Sequence, residues 1–107
     1  MLTITEPDWK LFRKKVPNWQ ERYMEKLNRE YIELLTNENE TASAKFWKLE
    51  KQIREDRKSL GVIIDMRRST AVHNIISLLY NEVITLEDLK DFSAELQDAV
   101  SFVAKMK

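Results

Sequence analysis

Apolar side chains return every three or four positions from residue 9 to residue 106, and no stretch outside that pattern alternates with period two. A spacing of 3.6 is that of one helix face, whereas a half-buried strand would alternate at every second position. Punctuation is scarce: one glycine and two prolines stand in 107 residues. Glycine supplies left-handed turns and proline rigid ones, so a chain nearly free of both has few turns to make. The pattern predicts an all-α fold, a compact bundle of four to five helices in one domain spanning residues 1–107.

Two helix starts share one grammar. Thr5 and Thr85 stand as N-caps with Asp8 and Asp88 at the third helical position. The threonine oxygen accepts from an orphan backbone N–H, and the carboxylate complements the positive helix end. Ile4 and Ile84 precede the caps and face Trp9 and Leu89, as in a hydrophobic staple. The first helix therefore covers residues 6–15, where Val16-Pro17 interrupts it, because proline lacks an N–H and disfavours helical geometry in the residue before it. Pro17 suits the first turn of a second helix over residues 17–36. Its stripe is Trp19, Tyr23, Leu27, Tyr31 and Leu34, widened by Met24, Ile32 and Leu35, with Glu25, Arg29 and Glu33 as a charge ladder on another side.

Asn37-Glu38-Asn39-Glu40-Thr41 reads as a loop. A third helix is predicted over residues 43–66, roughly 35 Å long. Phe46, Leu49, Ile53, Leu60 and Ile64 approximate a coiled-coil seam that Arg57 interrupts, and Gly61 costs its interior about 1 kcal/mol relative to alanine. The second and third helices thus form a long antiparallel hairpin, about 17–36 and 43–66. Ser69 or Thr70 caps a fourth helix over residues 71–80, apolar around most of its circumference and so expected to be buried on several sides. A fifth helix is predicted over residues 86–105, with Leu89, Phe92, Leu96, Val100 and Val103 on one face.

Charge alters this picture only modestly. Eighteen basic and eighteen acidic side chains cancel, but residues 1–68 hold fifteen Lys/Arg against twelve Asp/Glu while residues 69–107 hold three against six. The asymmetry favours head-to-tail self-complementarity or a basic face on the N-terminal helices, and falls short of the strongly basic domain that nucleic acid selects. Cysteine is absent, which excludes disulfides and thiol chemistry, and the lone His73 with scattered carboxylates makes no metal cluster. No apolar run reaches the roughly 18 residues of a membrane span, and Met1-Leu2-Thr3-Ile4 lacks the basic and apolar regions of a signal peptide. A soluble cytoplasmic protein is expected.

Candidate chemistry is thin. Trp47, Lys51, Arg54 and Lys58 fall at i, i+4, i+7 and i+11, the arrangement of a nucleic-acid or acidic-partner surface, although Glu50 and Glu55 are placed to neutralise it. Arg67 and Arg68, beside Asp65, His73 and Asn74, either grip an anion or tie two helix ends together. Ser69 and Ser77 lie one turn either side of His73, but no acid is placed to orient the ring, so there is no triad. One glycine cannot build a phosphate-cradling loop, and the acidic start Leu86-Glu87-Asp88 disqualifies the fifth helix as a groove reader. No enzyme, cofactor or small-molecule substrate is indicated.

Through Asp65-Met66-Arg67-Arg68-Ser69, His73-Asn74-Ile75-Ile76-Ser77-Leu78-Leu79, Leu86-Glu87-Asp88-Leu89 and Phe92-Ser93-Ala94-Glu95-Leu96, the chain resembles a group of small Firmicutes proteins of gut clostridia. They often carry the automatic label "multidrug transporter". Trp9-Lys10-Leu11-Phe12 and Pro17-Asn18-Trp19-Gln20 share in the likeness, which covers most of the chain. The label conflicts with the lack of a spanning segment. The resemblance implies a small cytoplasmic accessory protein, carried on mobile elements, with no activity to transfer to particular residues. The expected function is a non-enzymatic protein–protein interaction module that forms a homodimer. The alternatives are a nucleic-acid-binding regulator and an inhibitor of a larger host or phage complex.

Overall fold

Thr5 opens the first element as its position demands: its Oγ1 accepts from the Asp8 N–H at 3.4 Å, with Ile4 buried beneath it. The helix that follows in this computed structural model, α1 (Glu6–Leu35), runs for 30 residues, about 45 Å. Residues 3–106 are described; Met1 and Leu2, from the segment without a signal peptide's features, and Lys107 lie outside them. The interruption expected at Val16-Pro17 does not occur, and Pro17 lies inside α1. Its ring forfeits one backbone bond and costs the helix about 3 kcal/mol. Phe12, Val16 and Trp19 flank it and are all buried, and burying each contributes roughly 1.5–3 kcal/mol. Packing on both sides of the proline therefore outweighs its local cost.

The loop leads into α2 (Ala42–Asp56), capped by Thr41, whose Oγ1 accepts from the Ala44 N–H at 3.2 Å. The hairpin is present, but its second arm ends at Asp56 rather than near residue 66. Lys58 and Ser59 donate their N–H groups to the Glu55 and Asp56 carbonyls, tightening the last turn, and the Gly61 N–H donates to Ser59 Oγ at 3.0 Å. Gly61 is buried against α1, where an added Cβ would lie 2.3 Å from the Tyr23 ring. This close approach, with Gln20 Nε2 donating to the Leu60 carbonyl at 3.1 Å, pins the chain across α1 and stops the helix. The coiled-coil seam ends with it: Leu60 and Ile64 follow the turn and pack against the core, while Phe46 and Ile53 stay exposed.

A 3-10 turn (Arg68–Thr70) precedes α3 (Ala71–Tyr80), where the sequence placed it. The cap residue is Thr70, which makes no side-chain capping bond. The helix closes with Glu82 in the left-handed region, the Glu82 N–H on the Leu79 carbonyl and the Val83 N–H on that of Leu78. A second 3-10 turn (Leu86–Leu89) carries the expected capping box between Thr85 and Asp88. It does not continue as a single helix to residue 105. The chain leaves helical geometry before Ser93 and restarts as α4 (Ala94–Val100) and α5 (Phe102–Lys105). The cause is distant in sequence: the buried Asp8 carboxylate accepts from the Ser93 N–H at 3.0 Å and from Ser93 Oγ at 2.5 Å. Ser93 Oγ in turn accepts from the Leu96 N–H and caps α4.

The all-α fold thus has two parts, and no strand occurs among the described residues. The first half of α1 packs with α3, α4 and α5 around Phe12, Ile75, Leu78, Leu89, Val100 and Val103. Trp19 stacks on Phe92 at 6.2 Å and tilts against Phe12 at 6.1 Å, so it is a core anchor as its position suggested. From this body the hairpin of α1 and α2 projects, giving overall dimensions of 51 × 26 × 21 Å.

Candidate functional site

Past Arg22 and Tyr23, which still touch the body, the distal part of α1 pairs with α2, the second arm of the hairpin. Leu27 and Leu34 of α1 line the groove between the arms with Gln52 and Asp56 of α2, on which Leu49 is half-buried, and the Tyr31 hydroxyl donates to Asp56 at 2.5 Å. Partial burial, then the bond to the Asp56 carboxylate and its negative charge, push the Tyr31 pKa well above its ordinary 10, so the phenol stays a donor. At the tip Lys45 Nζ donates to the Leu35 carbonyl at 3.1 Å, and Lys48 pairs with Glu40.

None of the described residues of α2 is buried. Instead the hairpin exposes large apolar side chains: Ile32 at 59%, Phe46 at 62% and Trp47 at 64% accessibility, with Leu35 and Ile53 also exposed. Phe46 and Trp47 are adjacent and meet edge to face at 5.0 Å. Single exposed apolar residues need no explanation, but here five gather on one projecting hairpin.

The basic stripe runs past the end of α2. Trp47, Lys51, Arg54 and Lys58 are all exposed, but Lys58 lies past the end of α2. Arg54 pairs with Glu50 and Lys58 with Glu55, so two of the three cations are neutralised within the hairpin. Arg67 and Arg68 do not converge. Arg67 pairs with Asp65 at 2.8 Å, whereas Arg68 reaches across to Glu6 and the Ile4 carbonyl, fastening the start of α1. Asn74 Nδ2 donates to the Asp65 carbonyl at 3.2 Å, the backbone-satisfying role available to it. His73 is exposed in an open groove between Tyr23, Lys58, Leu60, Ser77 and Asn81. Among the described residues no group of three or more His, Asp or Glu is placed to hold a metal ion, and no helix is long and apolar enough to cross a membrane.

Reading the sequence assigned Phe46 and Ile53 to a buried seam and Ile32 and Leu35 to a widened stripe, and so missed them as surface candidates. The available signal was the Phe46-Trp47 pair. Neighbouring helical residues point about 100° apart, so one helix cannot bury both against a single partner.

No protein-family model, no curated protein and no solved structure matches the chain.

Proposed function

We propose that this chain is a non-enzymatic, cytoplasmic protein–protein interaction module whose working surface is the projecting hairpin. The observation that carries the reading is α2 itself: a 15-residue helix with no buried residue that presents Phe46, Trp47 and Ile53 to solvent. A helix this short is marginal alone in water. Here it is held by one edge, and its apolar side chains are available to a partner. Aromatic side chains are enriched at protein interfaces and carry much of their energy.

The nucleic-acid alternative is weaker. Arg54, Lys58, Arg67 and Arg68 already have carboxylate partners, and releasing them for phosphate would forfeit those pairs. The test is co-purification with tagged full-length chain, comparing wild type with Phe46→Ala/Trp47→Ala. An identified partner retained by the wild type and lost by the double variant is the expected result. Oligonucleotide retardation that falls with salt and vanishes in Lys51→Glu/Arg54→Glu would instead favour the regulator.

A further inference from the structure

We propose that the hairpin face is occupied by a second copy of this chain, with α1 of each protomer lying over α2 of the other. The proposal rests on the reading of the hairpin as an interaction surface and commits it to one partner. Its first support is the direction in which the apolar side chains point. The contacts of Asp56 with Tyr31 and of Lys45 with the Leu35 carbonyl fix which side of α2 faces α1. At 100° per residue, Phe46 and Ile53 then project on one side of the hairpin, and Met24 and Leu35 of α1 project on the same side. The opposite side is a polar groove lined by Lys26, Glu30 and Gln52. The body attaches to α1 from that polar side, through Phe12 and Trp19 and the ion pairs Lys15–Asp91 and Arg22–Asp88. The apolar face therefore looks away from the body, and a second molecule can reach it.

Charge selects the occupant. Residues 23–41 hold five carboxylates against two cations, and residues 42–58 hold six cations against three carboxylates. The hairpin as a whole thus has an acidic arm and a basic arm, of net charge −3 and +3. An interface between identical chains must be complementary to itself. A twofold axis parallel to the helices sets the acidic arm of each copy over the basic arm of the other, whereas an axis across them sets like over like. The bonds of Gln20 to the Leu60 carbonyl and of Tyr31 to Asp56 bracket the end of α2 along α1, and Glu21 and Glu25 fall within that stretch, where Arg54 and Arg57 of the copy would meet them. Neither Glu21 nor Arg57 has an ion-pair partner among the described residues, whereas Glu25 and Arg54 also pair along their own helices with Arg29 and Glu50 and would share those partners with the copy. On this face Phe46 can bury about 150–250 Å², with Ile53, Leu35 and Met24 beside it, a fitting centre for an interface of about 800 Å² per partner.

Light scattering and sedimentation equilibrium on the full chain test this. The expected mass is twice the 12.8 kDa of one chain. Phe46→Asp/Ile53→Asp is expected to give the monomer with unchanged helicity, since both positions are exposed, and to weaken association by about 30-fold or more. Glu21→Arg/Glu25→Arg and Arg54→Glu/Arg57→Glu are each expected to be monomeric alone and to form a heterodimer when mixed, because mixing restores opposite charges on both rims. Several results would overturn the proposal. They are a wild type monomeric at about 100 µM, above the micromolar range expected of a standard interface; a dimer that survives Phe46→Asp/Ile53→Asp; and charge variants that do not rescue each other. A monomeric wild type that still binds an identified partner through Phe46 and Trp47 would sink the dimer and leave the interaction module standing. Loss of both would remove the two together.

Discussion

Glu82 holds a backbone conformation that usually belongs to glycine. Its φ of 60° closes α3 in a Schellman arrangement, with the Val83 N–H on the Leu78 carbonyl at 2.9 Å. For a residue with a Cβ the left-handed region costs about 1–2 kcal/mol, while glycine adds back some unfolded-state entropy. Glu82→Gly is therefore expected to stabilise the protein by about 0.5–1 kcal/mol, read as a raised denaturation midpoint with unchanged slope. A variant less stable than the wild type would mean that the Glu82 side chain contributes more than its backbone costs. Gly61 is the converse case: its backbone is not left-handed, and it is needed because the Tyr23 ring leaves no room for a Cβ. A composition that counts one glycine cannot distinguish a helix-interior glycine from one wedged beneath an aromatic ring.

At the scale of elements, the 3-10 turn before α4 is fastened to α1 by Arg22, whose two nitrogens donate to the Asp88 carboxylate at 2.9 and 2.8 Å. Partial burial alone would raise the Asp88 pKa, but the Arg22 guanidinium and the Thr85 N–H and hydroxyl lower it below its ordinary 3.8. A depressed folded-state value contributes stability at pH above 3.8 that is lost as pH falls through the folded pKa. Asp88→Asn should accordingly cost about 1 kcal/mol near neutrality, and the gap to wild type should close in acid. A gap that stays constant down to about pH 2 would assign the cost to shape rather than charge. The Thr85–Asp88 box was legible because capping is local, as was α3, whose apolar circumference matches its burial on several sides. Three boundaries were not legible, each for a tertiary reason. Phe12, Val16 and Trp19 carry α1 through Pro17, Tyr23 and Gln20 stop α2, and Asp8 breaks the last helix at Ser93 from 85 residues away. Of the candidate site, the Trp47 end of the stripe was visible, but its apolar neighbours were assigned to a core that the body completes without them.

Across the whole molecule, burial is divided unequally. Ile75, Leu78 and Val100 lie in a core built from α1, α3, α4 and α5, to which α2 contributes no buried side chain. Regions that bury little open at low free-energy cost, while core helices exchange their amide hydrogens only through near-global unfolding. In dilute solution the amides of α2 are thus expected to exchange about 100-fold or more faster than those of α3 around Ile75 and Leu78. Hydrogen exchange read by mass spectrometry resolves the two helices. Equal protection in the monomer would mean that Leu49 and the Tyr31–Asp56 bond bind the arms far more tightly than their partial burial implies. The same experiment reports on association, because a ligand that binds only the closed hairpin stabilises it by mass action. Raising the protein concentration should slow exchange in α2 and in the distal part of α1 and leave α3 unchanged, and Phe46→Asp/Ile53→Asp should abolish the concentration dependence. Slowing confined to α3, or the same slowing in the double variant, would place the self-association elsewhere than on the hairpin.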